Sequence, residues 1–199
     1  MLILSVKVMK RFIAILSILL LWAPVALSCT NFPINIGAMD TPEGRMLVES
    51  LSVLINERTG VTVGTHYFSE WEEMDKAVME EKLEIIIGDT SSALVYLNKP
   101  VGDDPEQNME TLKGLYKSKK MIWLKPFVFR TTDENGLVAI TAPVISRKSL
   151  AQFPALPRLI AKLSKKVDDQ VLQQLVQGVK GTTKPQHVAK DFLREQSLI

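Results

Sequence analysis

The sequence predicts an α/β domain: an open, mostly parallel sheet with helices on both faces. Three observations carry the prediction. From Ile34 onward, short β-branched runs alternate with helical stretches in the order strand, helix, strand, helix, strand. The third run, Ile85-Ile86-Ile87, is apolar at consecutive positions, as a strand covered on both faces must be. The helical stretches each carry one apolar stripe, so each packs a single side against a sheet.

"INIGAMDTPEGRMLVESLSVLINERTG" reads as strand, loop and helix. Thr41 caps the helix, Pro42 suits its first turn and Glu43 favours the positive end of its dipole. Leu47, Leu51, Leu54 and Ile55 share one face, Glu49, Asn56 and Glu57 point outward, and Gly60 stops the helix. "VTVGTHYF" is a second strand, with Val61, Val63, Thr65 and Tyr67 on one side. In "SEWEEMDKAVMEEKLEIIIG" Ser69 and Glu72 form a capping box, and Trp71, Met74 and Val78 make the buried stripe before the third strand. Asp104 and Pro105 open a helix with apolar Met109, Leu112, Leu115 and Tyr116. "MIWLKPFVF" and "GLVAIT" read as two strands separated by the polar turn "RTTDENG". Helices follow near Leu156 to Leu163, from Asp168 to Gln177, and from Pro185 with Val188, Phe192 and Leu193 inward.

Ahead of the domain, "MKRFIAILSILLLWAP" sets Lys10 and Arg11 before an uncharged apolar run from Phe12 to Trp22, the layout of a secretory signal peptide. The longer run from Phe12 to Leu27 falls short of the roughly 20 apolar residues of a comfortable bilayer span, and Pro24 interrupts it near its end. Residues 1–28 therefore read as a signal peptide, with Met9 as a candidate start, and residues 29–199 as one domain. The single cysteine, Cys29, follows Ala26, Leu27 and Ser28, a stretch that resembles a bacterial lipobox. Cys29 is accordingly the expected lipid attachment point, which places the protein in the periplasm or cell envelope, held to the membrane by its N-terminus. The chain carries 24 Lys and Arg against 22 Asp and Glu, and Lys7, Lys10 and Arg11 fall in the leader. The remainder is close to neutral, which argues against a nucleic-acid partner.

Reactive groups do not converge along the sequence. His66 lies in a strand and His187 in the exposed half of the last helix, neither with an acid or nucleophile at useful spacing. No zinc-protease, paired-cysteine, phosphate-loop or nucleophile-elbow motif occurs, so the expectation is no catalysis, no metal and no cofactor. Binding is the better prospect, because open sheets take ligands at the carboxyl ends of their strands. Two loops stand there: one offers Met39, Asp40 and Thr41, the other Asp89, Thr90 and Ser91. Helix capping is the alternative role for each polar residue among them.

The stretches from Ile34 to Val63, from Lys76 to Leu94, "MIWLKPFVF", and "APVISRKSLAQFPALPRLIAKL" through "VAKDFLREQSLI" resemble the osmoprotectant branch of ABC-transporter substrate-binding proteins, which serve glycine betaine, choline and related quaternary amines. The resemblance implies a type II periplasmic binding-protein fold, an ABC permease as partner and a small quaternary-amine ligand. In that family the chain crosses to a second lobe after a strand like "GLVAI" and returns before "APV"; here Ile140 runs through Thr141 into Ala142, so the second lobe is expected to be missing. Two loops also depart from the family. Gly37 to Thr41 replaces a glycine, serine, lysine, asparagine, phenylalanine run, and no aromatic stands between Glu84 and Ser92. Tyr67, Trp71, Tyr96, Tyr116 and Trp123 are the residues from which an aromatic cage could be rebuilt, although their positions favour core packing. The resemblance thus implies a single-lobe import component with weak or altered ligand binding, which pairs with a permease, another lobe or a second copy as a homodimer. The competing reading is a cell-envelope lipoprotein that kept the lobe and serves as an interaction or structural module.

Overall fold

The computed structural model describes residues 33–131 and 138–199. The leader, Met9 and Cys29 lie outside the described residues, as does most of the "RTTDENG" turn.

Six strands form one sheet: β1 (Ile34–Met39), β2 (Val63–Phe68), β3 (Ile85–Asp89), β4 (Met121–Trp123), β5 (Val128–Thr131) and β6 (Val138–Ser146). Their order is β2-β1-β3-β6-β4, with β5 also on β6. β1 is parallel to both β2 and β3, whereas β6 runs antiparallel to β3, β4 and β5. The α/β class and the two helical layers are as expected, but the sheet is mixed rather than mostly parallel. The cause lies in "MIWLKPFVF" and its successor. Pro126 splits that run into β4 and β5, and the chain reverses after Thr131, so β6 returns against its neighbours. β6 passes without a break through Ile140, Thr141 and Ala142, the place where the sequence suggested an excised lobe. Pro143 is tolerated inside this strand because it faces the gap between β4 and β5, where its carbonyl accepts from the Leu124 amide at 2.9 Å and no ladder donor is needed.

Eight helices are described: α1 (Pro42–Thr59), α2 (Trp71–Met79), α3 (Thr90–Tyr96), α4 (Pro105–Tyr116), α5 (Arg147–Gln152), α6 (Leu156–Ser164), α7 (Asp169–Gly178) and α8 (Pro185–Glu195). α1 starts with Pro42 behind the Thr41 cap and stops at Gly60, whose φ of 70° lies in the left-handed region that glycine adopts freely. α2 departs from its expected capping box: Glu70 is the cap residue and no side chain caps the helix.

The core has two layers, one on each face of the sheet. Ile85 and Ile87 join α1, α6, α7 and α8 on one face, and Ile86 joins α2, α3 and α4 on the other, the alternation a strand imposes. α1 is not the one-sided helix its stripe suggested. Met46, Val48, Ser50, Ser52 and Val53 are buried alongside Leu47, Leu51, Leu54 and Ile55, because α7 and α8 close over its far side. Ser50 meets burial by donating its hydroxyl to the Met46 carbonyl at 2.8 Å.

Candidate functional site

Three parallel strands end on the same edge of the sheet, and a helix begins directly behind each. Met39 of β1 leads to the Thr41 cap of α1, Phe68 of β2 leads to Trp71 at the start of α2, and Asp89 of β3 is itself the cap of α3. The Thr41 hydroxyl accepts from the Gly44 amide at 3.0 Å, and Asp89 Oδ1 accepts from the Ser92 amide at 3.0 Å. A cleft of about 400 Å³ opens between these three starts, and its lining includes Met39, Thr41, Glu43, Trp71, Asp89 and Thr141. Thr141 reaches this edge because β6 is antiparallel and pairs it with Asp89.

The sequence-predicted residues divide three ways. Met39, Thr41 and Asp89 share the cleft. Asp40 instead lines an adjoining hollow of about 320 Å³ with Arg45, Val176, Val179 and Pro185. It is bonded there to Arg45 through Nε and, at 2.9 Å, through Nη2, and that hydrogen bond holds its carboxyl below the ordinary carboxylate range. Thr90 and Ser91 are not loop residues, since they form the first turn of α3. Thr90 is fully buried, and its hydroxyl accepts from the Ile140 amide at 2.9 Å, which ties α3 to β6. That bond commits the Thr90 hydroxyl to the fold and sets it apart from the cleft lining. Ser91 Oγ is buried without a hydrogen bond among the described residues and does not line the cleft.

Trp71 is the residue that the loop reading missed. It lines the cleft and stacks on Tyr96, with ring centroids 6.4 Å apart and planes 23° from parallel. Its signal was present in sequence as an aromatic just past the carboxyl end of a strand, but the helical stripe in which it falls read as core. Of the other aromatics, Tyr116 and Trp123 are core residues in edge-to-face contact, and Tyr67 packs against the α1 layer.

Among the described residues the cleft lining holds two carboxylates, Glu43 and Asp89, and no lysine, arginine or histidine. The α1 N-terminus, a natural anion site, is already satisfied. Thr41 caps it, Pro42 lacks an amide hydrogen, and Glu43 sits in the first turn against the dipole. The histidines are elsewhere: His66 Nε2 lies 3.2 Å from Asn35 Oδ1, and His187 lines a hollow beside α1 and α8. No group of three metal-ligating side chains occurs among the described residues, and no described helix is long and apolar enough to cross a membrane.

Sequence comparison matches no family model and none of the curated proteins. Structural comparison does find matches. The crystal structure of a glycine betaine/carnitine/choline ABC transporter aligns with a TM-score of 0.71 at 15% identity, covering 85% of this chain and 99% of the other. The fold is that of a periplasmic binding-protein lobe. Apo YehZ from Escherichia coli gives a TM-score of 0.73 at 14% identity over 84% of this chain and 100% of its own. Lactococcal OpuAC, closed and complexed with glycine betaine, gives 0.58 at 7% identity over 83% and 96%. Among the described residues the binding-protein lobe has a single sheet, and its cleft occupies the carboxyl edge where open α/β sheets take ligands.

Proposed function

We propose that this protein is an exported, substrate-binding-protein-like component of an ABC import system for small quaternary amines such as glycine betaine and choline. Residues 1–28 act as its signal peptide, residues 29–199 are the working domain, and Cys29 carries the lipid that holds it at the membrane. The observation that supports this reading best is the pairing of Trp71 with a cleft whose described lining carries acidic and no basic side chains, in a fold shared with proteins of that class. A quaternary ammonium offers no N–H donor, so an aromatic face and nearby carboxylates are the groups able to hold it. Met39, Thr41 and Asp89 form the rest of the contact surface.

Each cation–π contact contributes about 0.5–2 kcal/mol. One aromatic wall thus falls short of the roughly 4 kcal/mol that a millimolar dissociation constant needs, so the lobe alone binds at about tens of millimolar or more weakly. Tighter capture needs an opposing wall, supplied by the permease, another lobe or a second copy of the chain. Calorimetric titration with choline, glycine betaine and carnitine tests the ligand half. Weak saturable heats that vanish in Trp71→Ala support it, and flat traces at hundreds of millimolar, on the order of ten times the expected dissociation constant, overturn it. The anchor is tested by the mass of the N-terminal peptide from membranes, which should carry a diacylglyceryl group on Cys29. Co-purification of an ABC permease tests the partner.

A further inference from the structure

The geometry points to Tyr96 as a positioning residue for Trp71, one that holds the aromatic wall of the cleft from behind through a clamp made by Asp75 and Lys119. This inference rests on the ligand reading of the cleft for its functional meaning, but the clamp itself is built from contacts already in the fold.

Trp71 is the first residue of α2, so its backbone is fixed on one side only, and the ring contact that fixes its side chain is the stack on Tyr96. Tyr96 ends α3, and its hydroxyl donates to Asp75 Oδ2 at 3.2 Å. Asp75 lies on α2 one turn beyond Trp71, so the stack and the hydrogen bond join α2 to α3 at two points. The other Asp75 oxygen pairs with Lys119, and both side chains are largely withdrawn from solvent, at 13% and 16% exposure. Lys119 Nζ also lies 5.9 Å from the Tyr96 ring centroid and 5.2 Å from that of Tyr116. Tyr116 in turn meets Trp123 edge-to-face at 5.6 Å in the core. The exposed wall is thereby connected to the sheet through a continuous set of packed rings around one half-buried ion pair. Preorganisation of this sort lowers the ordering cost of binding, because Trp71 enters the complex with its torsions already restricted.

The test uses the working domain, residues 29–199, labelled with 5-fluorotryptophan, in which Trp71 and Trp123 give two fluorine resonances; Trp71→Phe assigns them. Tyr96→Leu, Tyr96→Phe and Asp75→Asn are compared with wild type, and an unmoved Trp123 resonance certifies folding. The expected result is a shifted or broadened Trp71 resonance in Tyr96→Leu and about a two- to tenfold weaker choline affinity. Tyr96→Phe, which keeps the ring, should recover most of both. A folded Tyr96→Leu with wild-type Trp71 resonance and unchanged affinity overturns the inference. Should Tyr96→Leu fail to fold, Asp75→Asn decides, since it weakens the clamp behind Tyr96, and a Trp71 resonance indifferent to it overturns the inference. If wild type binds no choline, the ligand reading fails alone, and the fluorine resonances still decide whether Tyr96 positions Trp71.

Discussion

The Arg45 guanidinium lies 4.4 Å from the centroid of the Tyr67 ring, which it covers while bonded to Asp40 on its other side. The Tyr67 hydroxyl continues the chain by donating to Glu49 Oε1 at 2.8 Å. Four side chains from α1, β2 and the loop after β1 thus secure the segment that carries Met39 and Thr41 into the cleft.

Removing Arg45 should release Asp40. In the folded protein Asp40 titrates below its ordinary value of 3.8, chiefly through the Arg45 hydrogen bond. A lowered carboxylate contributes stability above the unfolded value, and that contribution is lost as pH falls through the folded one. Arg45→Ala should therefore raise the Asp40 pKa toward 3.8 and flatten the stability curve below that pH. Carbon-detected NMR titration of the Asp40 carboxyl is the check. Loss of the contact with Tyr67 adds about 0.5–1 kcal/mol of destabilisation at neutral pH.

Gly88 is required by its neighbours. A Cβ there would lie 3.0 Å from Trp123 Cη2 and 3.5 Å from Trp71 Cη2, so both rings cover the face of β3 to which that Cβ would point. Gly88→Ala should destabilise by about 1–3 kcal/mol through overpacking. It should also move the Trp71 emission, since the cleft wall has nowhere else to go. Urea unfolding followed by fluorescence gives both numbers.

Leu54 on α1 is fully buried between the sheet and the closing helices. Leu54→Ala should cost about 2–5 kcal/mol, the range for truncating a packed leucine. An outward-facing position would give almost nothing, so equilibrium unfolding discriminates sharply.

The three tyrosines of the chain all ionise above the ordinary value of 10. Burial is the first cause at Tyr67, Tyr96 and Tyr116, reinforced by Glu49 at the first and Asp75 at the others. A raised value means the folded state keeps protons that the unfolded state releases, so stability is fully present below pH 10 and declines above it. Absorbance at 295 nm should show little tyrosinate until the protein unfolds in alkali, and the two transitions should coincide.

Most of this fold was readable from local signals. Pro42, Gly60, Pro105 and Pro185 punctuate helices where the sequence placed them, and the Ile85 to Ile87 run is the buried strand it looked like. What escaped depended on distant partners. Ser50 and Ser52 fall outside the apolar stripe that the sequence marks on α1, and nothing local announces their burial. The direction of β6 follows from the reversal after Thr131, which a residue-by-residue reading cannot see. At the cleft, Met39, Thr41 and Asp89 were legible as residues at strand ends. Thr90 was misplaced because its hydroxyl partner, the Ile140 amide, is far along the chain. Trp71 was misplaced because helical periodicity does not distinguish a ring under a helix from one at its rim.

The helix formed first in the sequence is completed last. α1 lies between the sheet and α8, with Lys190 paired to Glu57 at 2.6 Å and Arg58 donating to the Leu198 carbonyl. A nascent chain emerging from the ribosome would carry this apolar cylinder uncovered until its final residues appeared. Docking of the C-terminal helix is therefore the step that closes the fold over its first helix.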